Sequence, residues 1–253
     1  MYAQIPLLHR MILYSFLKAG LSLYGTLEEQ EAEMEDLIKE IPIPYRGLMN
    51  GELYLYALNF MKKYNSILKG DGGAVILNEA NLYHIVQFLE NRVGRVDAVL
   101  ILDCASIPEF VTIASKFHAL NRNVTILDKV FINPIGITRF LTYQLKSFDR
   151  ESYLRQYAQL LKERLKSRHC FIIPMIDLSI HEYGFTLSTF LKYIKIQKLF
   201  DEVNNLARQN SLLLTADHGY DIVADEHGLY MTHGYEKECP IKFSRIAPFL
   251  IID

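Results

Sequence analysis

Six side chains able to bind a metal ion stand at or near the ends of short apolar runs. Asp103 follows AVLIL, Asp177 follows FIIPMI and Asp217 follows LLLTA. His181 lies four residues past Asp177, His218 directly follows Asp217, and His233 sits sixteen residues beyond Asp217, between Thr232 and Gly234. One aspartate at a strand end is an ordinary turn former or helix cap. Three carboxylates gathered at one sheet edge repel each other strongly unless cations compensate, and divalent metal ions are the obvious compensation. Three aspartates and three histidines exceed one tetrahedral site and suit two sites with oxygen and nitrogen donors. Zinc is the first expectation and manganese the second. Two divalent ions against three carboxylates leave about +1, which favours an anion such as a phosphate ester. The competing reading is a set of capped turns and surface histidines.

The elements that must position these residues alternate from about residue 70 onward. Strands are predicted in GAVIL, DAVLILD, NVTILD, CFIIPMID, SLLLTAD and APFLIID, and helices over 80–92, 108–121, 150–168 and 186–209. That alternation predicts an α/β fold over 71–253, a mostly parallel sheet with helices on both faces. Ligands of such sheets bind beyond the carboxyl ends of the strands, which is where the three aspartates fall. Residues 1–70 read as a separate helical N-terminal region. Thr26 and Glu29 have the spacing of a capping box, which would open a helix over EEQEAEMEDLIKE that Pro42 and Pro44 stop. A further helix is expected in GELYLYALNFMKKYNSILKG, closed by Gly70. The acidic run reads as a solvated helix face. GDGGAVIL has the glycines of a phosphate loop, Gly70, Gly72 and Gly73, without the following GK[ST], and reads as a turn into a strand.

Bulk properties set the remaining bounds. The 253 residues are 50% hydrophobic and carry a formal charge of −2, which gives no global field for a polyanion. Cys104, Cys170 and Cys239 are an odd number without C-x-x-C spacing, which fits a reducing compartment, and the expectation is a cytoplasmic protein. Arg10 and Lys18 interrupt the apolar N-terminal run, so neither a signal peptide nor a membrane span is expected there. His9, His84, His118 and His169 read as structural, and Asp221, Asp225, Glu226 and His227 as an exposed loop between candidate ligands. Lys162, Arg164, Lys166 and Arg168 suit the C-terminal end of a helix dipole.

The set D103, D177-x-x-x-H181, D217-H218-G219 and T232-H233-G234 resembles the alkaline phosphatase superfamily, above all its PglZ-domain branch, over about residues 95–253. The resemblance implies an alkaline-phosphatase-like sheet with two metal ions at its carboxyl edge. Asp103, Asp217, His218 and a hydroxyl oxygen would hold the first, and Asp177, His181 and His233 the second. The nucleophile implied lies in FINPIGITRFLTYQL, where Thr138 matches best. Pro134 stands one residue further from it than in the family pattern, and Gly136 fills a place often taken by Ser or Thr. Ser106 is the rival hydroxyl, though Pro108 beside it marks a helix N-cap. In the implied mechanism Thr138 attacks phosphorus, a phosphothreonine forms, and water hydrolyses it, with Arg139 a candidate donor to a nonbridging oxygen. The substrate class is then a phosphate ester or diester, a nucleotide or nucleic-acid end included. The short span from Thr138 to Asp177 leaves no room for a large cap domain, which argues against a phosphomutase and for an open cleft. The alternative function is a PglZ-like interaction protein of a defence or regulatory complex, with structural metals and a protein partner docked on the helical N-terminus.

Overall fold

The computed structural model describes residues 4–69, 78–145, 153–182, 186–225, 228–234 and 239–253. The N-terminal stretch is helical: α1 (Ile5–Tyr24), α2 (Leu27–Gln30), α3 (Glu35–Ile38), α4 (Ile43–Met49) and α5 (Glu52–Leu68). Two expectations are corrected here. Thr26 stands at the N-cap of α2 but its side chain makes no capping hydrogen bond, and the acidic stretch forms two single turns instead of one helix. Glu29 and Glu33, and Glu31 and Glu35, would be like charges four apart on a continuous helix, which is destabilising. Pro42 and Pro44 do not stop that segment, which ends at Ile38; they open α4, as its N-cap and within its first turn.

The remainder alternates as α6 (Leu82–Val93), β1 (Ala98–Leu102), α7 (Ile107–Ala119), β2 (Val124–Ile126), β3 (Phe131–Ile132), α8 (Phe140–Leu145), α9 (Tyr153–Arg164) and β4 (His169–Ile173). It continues through α10 (Met175–Glu182), α11 (Leu187–Tyr193), α12 (Ile196–Ala207), β5 (Leu212–Thr215), β6 (Asp221–Asp225), β7 (Gly228–Thr232), β8 (Ile246–Ala247) and β9 (Leu250–Ile252). Five strands make the central sheet in the order β2-β9-β5-β1-β4. β1 pairs in parallel with both β4 and β5, whereas β9 runs antiparallel to β5 and β2. Four strands therefore share one direction and β9 opposes them. The reversal has a simple cause: a parallel neighbour needs a crossover, usually a helix, and among the described residues only the β6–β7 hairpin, a short 3-10 turn and β8 separate β5 from β9.

β1 is buried at every residue, as a strand covered on both sides must be. α7 and α12 meet through Phe117 and Phe200, and α1 lies against both. α9 packs across β1 and β4, and right-handed crossovers place it on the face opposite α7 and α12. Ile12 and Phe16 of α1 belong to the same buried cluster as the strand residues Leu100 and Leu214. A polar contact also pins α1 at depth: His9 Nε2 lies 2.6 Å from Glu109 Oε1, and the Tyr220 hydroxyl donates to the same oxygen at 2.6 Å. The helix expected over 186–209 is two helices, because Ile194 adopts an extended ψ of 110°. Ile194 and Ile196 are both buried, which residues two apart on one helix could not manage on the same side. The strand expected in GAVIL, the glycines Gly70, Gly72 and Gly73, and Glu226 and His227 lie outside the described residues. Among the described residues no helix is long and apolar enough to cross a membrane.

Candidate metal centre

β1 and β5 are in register with Ile101 opposite Thr215, so their carboxyl ends coincide. Asp103 and Asp217 therefore leave the sheet side by side, and donor atoms of Asp103, Asp217 and His218 all lie within 4.8 Å of one another. Asp217 and His218 are fully buried. His218 Nδ1 is 2.9 Å from the Gly219 carbonyl oxygen, which can only accept, so Nδ1 is the donor of that bond and Nε2 is the nitrogen left facing the cluster. Nε2 faces Asp217 Oδ2 at 3.5 Å. Gly219 is dictated by space, since a Cβ there would come within 2.8 Å of the Phe243 carbonyl oxygen and 2.9 Å of Ser106 Oγ.

Asp177 is not at a strand end, as its apolar prefix suggested. β4 stops at Ile173, Pro174 follows, and Asp177 occupies the first turn of α10. The helix nonetheless starts at the same sheet edge, because Ile173 pairs with Leu102. His181, four residues on, shares a helix face with Asp177, and its Nε2 is 3.3 Å from Asp177 Oδ1. His233 arrives from the β6–β7 hairpin, immediately after Thr232. Its Nε2 lies 2.9 Å from His181 Nε2 and 4.0 Å from Asp177 Oδ1, and its ring centre is 4.9 Å from that of His218. All six residues singled out by type and spacing thus converge. The set runs from buried at Asp217 to open at His181, whose side chain is 50% exposed.

Thr138 sits in the turn between β3 and α8. Its hydroxyl donates to Asp217 Oδ2 at 2.6 Å and lies 3.3 Å from His218 Nε2. Arg139 beside it is exposed. Ser106, the rival hydroxyl, is fully buried as the N-cap of α7, where Glu109 accepts from its backbone N–H at 2.8 Å. The residue that aims the Thr138 turn is Asn133, which sequence reasoning passed over. Its side-chain amide donates to the carbonyl oxygens of Ile137 (2.9 Å) and Asp217 (3.1 Å), and its oxygen accepts from the Gly136 N–H at 2.9 Å. The NP dipeptide signals a turn, but nothing in the sequence tells which distant carbonyl the amide would meet. Gly136 has a φ of +60°, and a Cβ on it would fall 2.8 Å from Ser244 Oγ, so both the backbone and the space at this position call for glycine. Asn133→Ala leaves buried carbonyls unpaired and should cost about 1–3 kcal/mol. Thermal unfolding checks this, with a fall of roughly 2–4 °C per kcal/mol expected at this size.

The metal-free electrostatics are frustrated. Burial, then Asp217 and Asp177, push the Asp103 carboxyl up to about 8. Burial also raises Asp177, with Asp217 adding to it against the opposing pull of His181 and His218. Burial, then His218 and His181, bring His233 down to about 4, so its imidazole is neutral and offers a lone pair. Asp103 Oδ1 is buried without a hydrogen-bond partner. An orphaned carboxylate oxygen, the neutral His233 imidazole and clustered acids form a donor set that fits divalent cations. Asp221 behaves differently: burial raises it to about 6, but it accepts from the Ser244 N–H at 3.0 Å and hydroxyl at 2.5 Å, and so braces the turn instead of facing the cluster. Arg164, at the end of α9, pairs with Glu90 through two 2.9 Å contacts. No family profile matches the chain, and no curated protein matches it in sequence.

Proposed function

We propose that the chain is a two-metal phosphoesterase built like the alkaline phosphatase superfamily and resembling its PglZ-domain proteins. The observation that carries this reading is the Thr138 hydroxyl, 2.6 Å from Asp217 Oδ2 and facing His218 Nε2, beside a second group of Asp177, His181 and His233. Asp103, Asp217 and His218 would hold one ion together with Thr138 Oγ1, and Asp177, His181 and His233 the other. When bound, the ions supply Lewis acidity that stabilises an alkoxide or hydroxide near neutral pH and offsets charge on the phosphoryl oxygens.

Thr138 Oγ1 attacks phosphorus as its proton leaves along the hydrogen bond toward Asp217 Oδ2. The Thr138 O–P bond forms, the ester O–P bond breaks, and the leaving oxygen takes a proton from water while the Thr138 proton passes from Asp217 back to solvent. Water then attacks the phosphothreonine, restoring the hydroxyl and releasing phosphate from a monoester or a monoester from a diester. Arg139, exposed beside Thr138, would donate to a nonbridging oxygen. The open side at His181 admits a diester or a polymer end. For the interaction-protein alternative, the apolar residues of α1 are engaged in the chain's own core, and Ile43 and Leu48 of α4 and Leu55 and Tyr56 of α5 are the exposed apolar side chains that could dock a partner.

The test uses metal-free protein reconstituted with zinc or manganese. Elemental analysis should find two ions per chain, and one fewer or none in Asp217→Ala. Bis-p-nitrophenyl phosphate and p-nitrophenyl phosphate should then be turned over only by the reconstituted protein. Absence of bound metal, or metal content unchanged in Asp217→Ala, would overturn the reading.

A further inference from the structure

Cys104 follows Asp103 at the end of β1 with a φ of 62°, one of three non-glycine residues with a positive φ among the described residues. That backbone conformation is unfavourable for a residue with a side chain, and here it carries the thiol toward the centre. Cys104 Sγ, a carboxylate oxygen of Asp177 and a ring nitrogen of His233 all lie within 4.8 Å of one another. The cysteine is fully buried, and its Sγ is 3.6 Å from the Gly219 carbonyl oxygen. Its backbone N–H points to Asp217 Oδ1 at 3.4 Å, so one residue spans both groups of candidate ligands.

Asp177 and His233 are thus approached from two sides. His181 reaches them from the exposed side, with separations of 3.3 Å and 2.9 Å. Cys104 reaches them from the buried side. Zinc bonds of about 2.3 Å to sulfur and 2.0–2.1 Å to nitrogen or oxygen put tetrahedral donors roughly 3.3–3.6 Å apart. The 2.9–4.0 Å separations among Asp177, His181 and His233 bracket that spacing.

We infer that Cys104 is the inner, sulfur ligand of the cation held by Asp177 and His233, giving a one-sulfur, one-nitrogen, one-oxygen group with His181 on its exposed side. This rests on the two-metal reading above and sharpens it, because a thiolate selects zinc over harder ions such as manganese or magnesium. On binding, the thiol proton passes to solvent and the sulfur–metal bond takes its place.

Cobalt(II) is the probe, since a thiolate bound to it gives a near-ultraviolet charge-transfer band, separate from the visible bands that any cobalt ligand set produces. The metal-free full chain should take up cobalt with both kinds of band. The charge-transfer band should be lost in Cys104→Ser and Cys104→Ala and kept in Cys170→Ser and Cys239→Ser. Visible bands without a charge-transfer band in the unmodified chain overturn the inference while leaving the two-metal reading standing. A charge-transfer band that persists in the Cys104 variants, or vanishes in Cys170→Ser or Cys239→Ser, overturns it as well. No cobalt uptake at all overturns both. Should neither Cys104 variant fold, the band in the unmodified chain together with its survival in the Cys170 and Cys239 variants still assigns it to Cys104.

Discussion

Thr138→Ala should keep its fold and bind both ions yet lose turnover of phosphate esters by on the order of 10⁴–10⁶-fold, the scale on which hydrolases lose rate when their nucleophile is removed. The reason lies in what the hydroxyl contributes. It is half-buried in a turn whose backbone is set by Asn133 and Gly136, so losing one hydroxyl and one methyl group leaves the turn in place. Its hydrogen bond to Asp217 Oδ2 concerns a carboxylate whose other oxygen faces the Cys104 N–H, so the first ligand group keeps its frame. Thr138→Ser retains the attacking oxygen and should retain measurable activity. Ser106→Ala should remove only a buried hydroxyl that has no hydrogen-bond partner, and the cap bond from its backbone N–H to Glu109 survives, so kcat should change little. A threonine phosphorylated at residue 138, trapped at low pH and read by mass spectrometry, completes the expected pattern. Full activity in Thr138→Ala would mean that no phosphoenzyme forms at this residue, and loss of activity in Ser106→Ala alone would move the nucleophile to α7.

The parts of this site that were legible from sequence share a physical property: their positions follow from local pattern. Asp103 and Asp217 end apolar runs that could only be buried strands, and such ends in an α/β sheet lie at one edge. Asp177 and His181 were paired by spacing even though the strand read through to Asp177 stops at Ile173; four residues is one helical turn, so the pair survives the correction. What was not legible depends on partners far along the chain. The direction of β9 is not written in LII. It follows from the lack of a crossover helix among the described residues between β5 and β9. The acidic stretch has a helix-like composition but breaks because its charges repel at helical spacing. Asn133 finds carbonyls at Ile137 and Asp217, one of them more than eighty residues away. In sequence Cys104 is only one of three cysteines without C-x-x-C spacing; its left-handed φ and the arrival of His233 from the hairpin bring it to the cluster.

Asp103→Asn should move stability in opposite directions with and without metal. In the metal-free chain the Asp103 carboxyl is pushed up to about 8, by burial first and then by Asp217 and Asp177. A carboxyl whose folded value lies above its unfolded value of about 4 supports the fold fully below that lower value. The support is lost as pH rises through about 8. Metal-free protein should therefore lose stability steadily between about pH 4 and pH 8, and Asn, which carries no charge, should flatten the decline by on the order of a few kcal/mol. At pH 8 the metal-free variant should melt above the unmodified chain, by roughly 2–4 °C per kcal/mol. With zinc present the order reverses, because ligand stabilisation grows as RT ln(1 + [L]/Kd) and the variant lacks one anionic ligand of the first group. Asp221→Asn is the control. Its carboxyl is also raised by burial, to about 6, but it is bound to Ser244 and faces no cluster, so its substitution should leave the zinc-dependent gain in melting temperature intact. A strut at position 103 would lower both melting temperatures when replaced; a ligand held in a site shaped for a cation raises one and lowers the other.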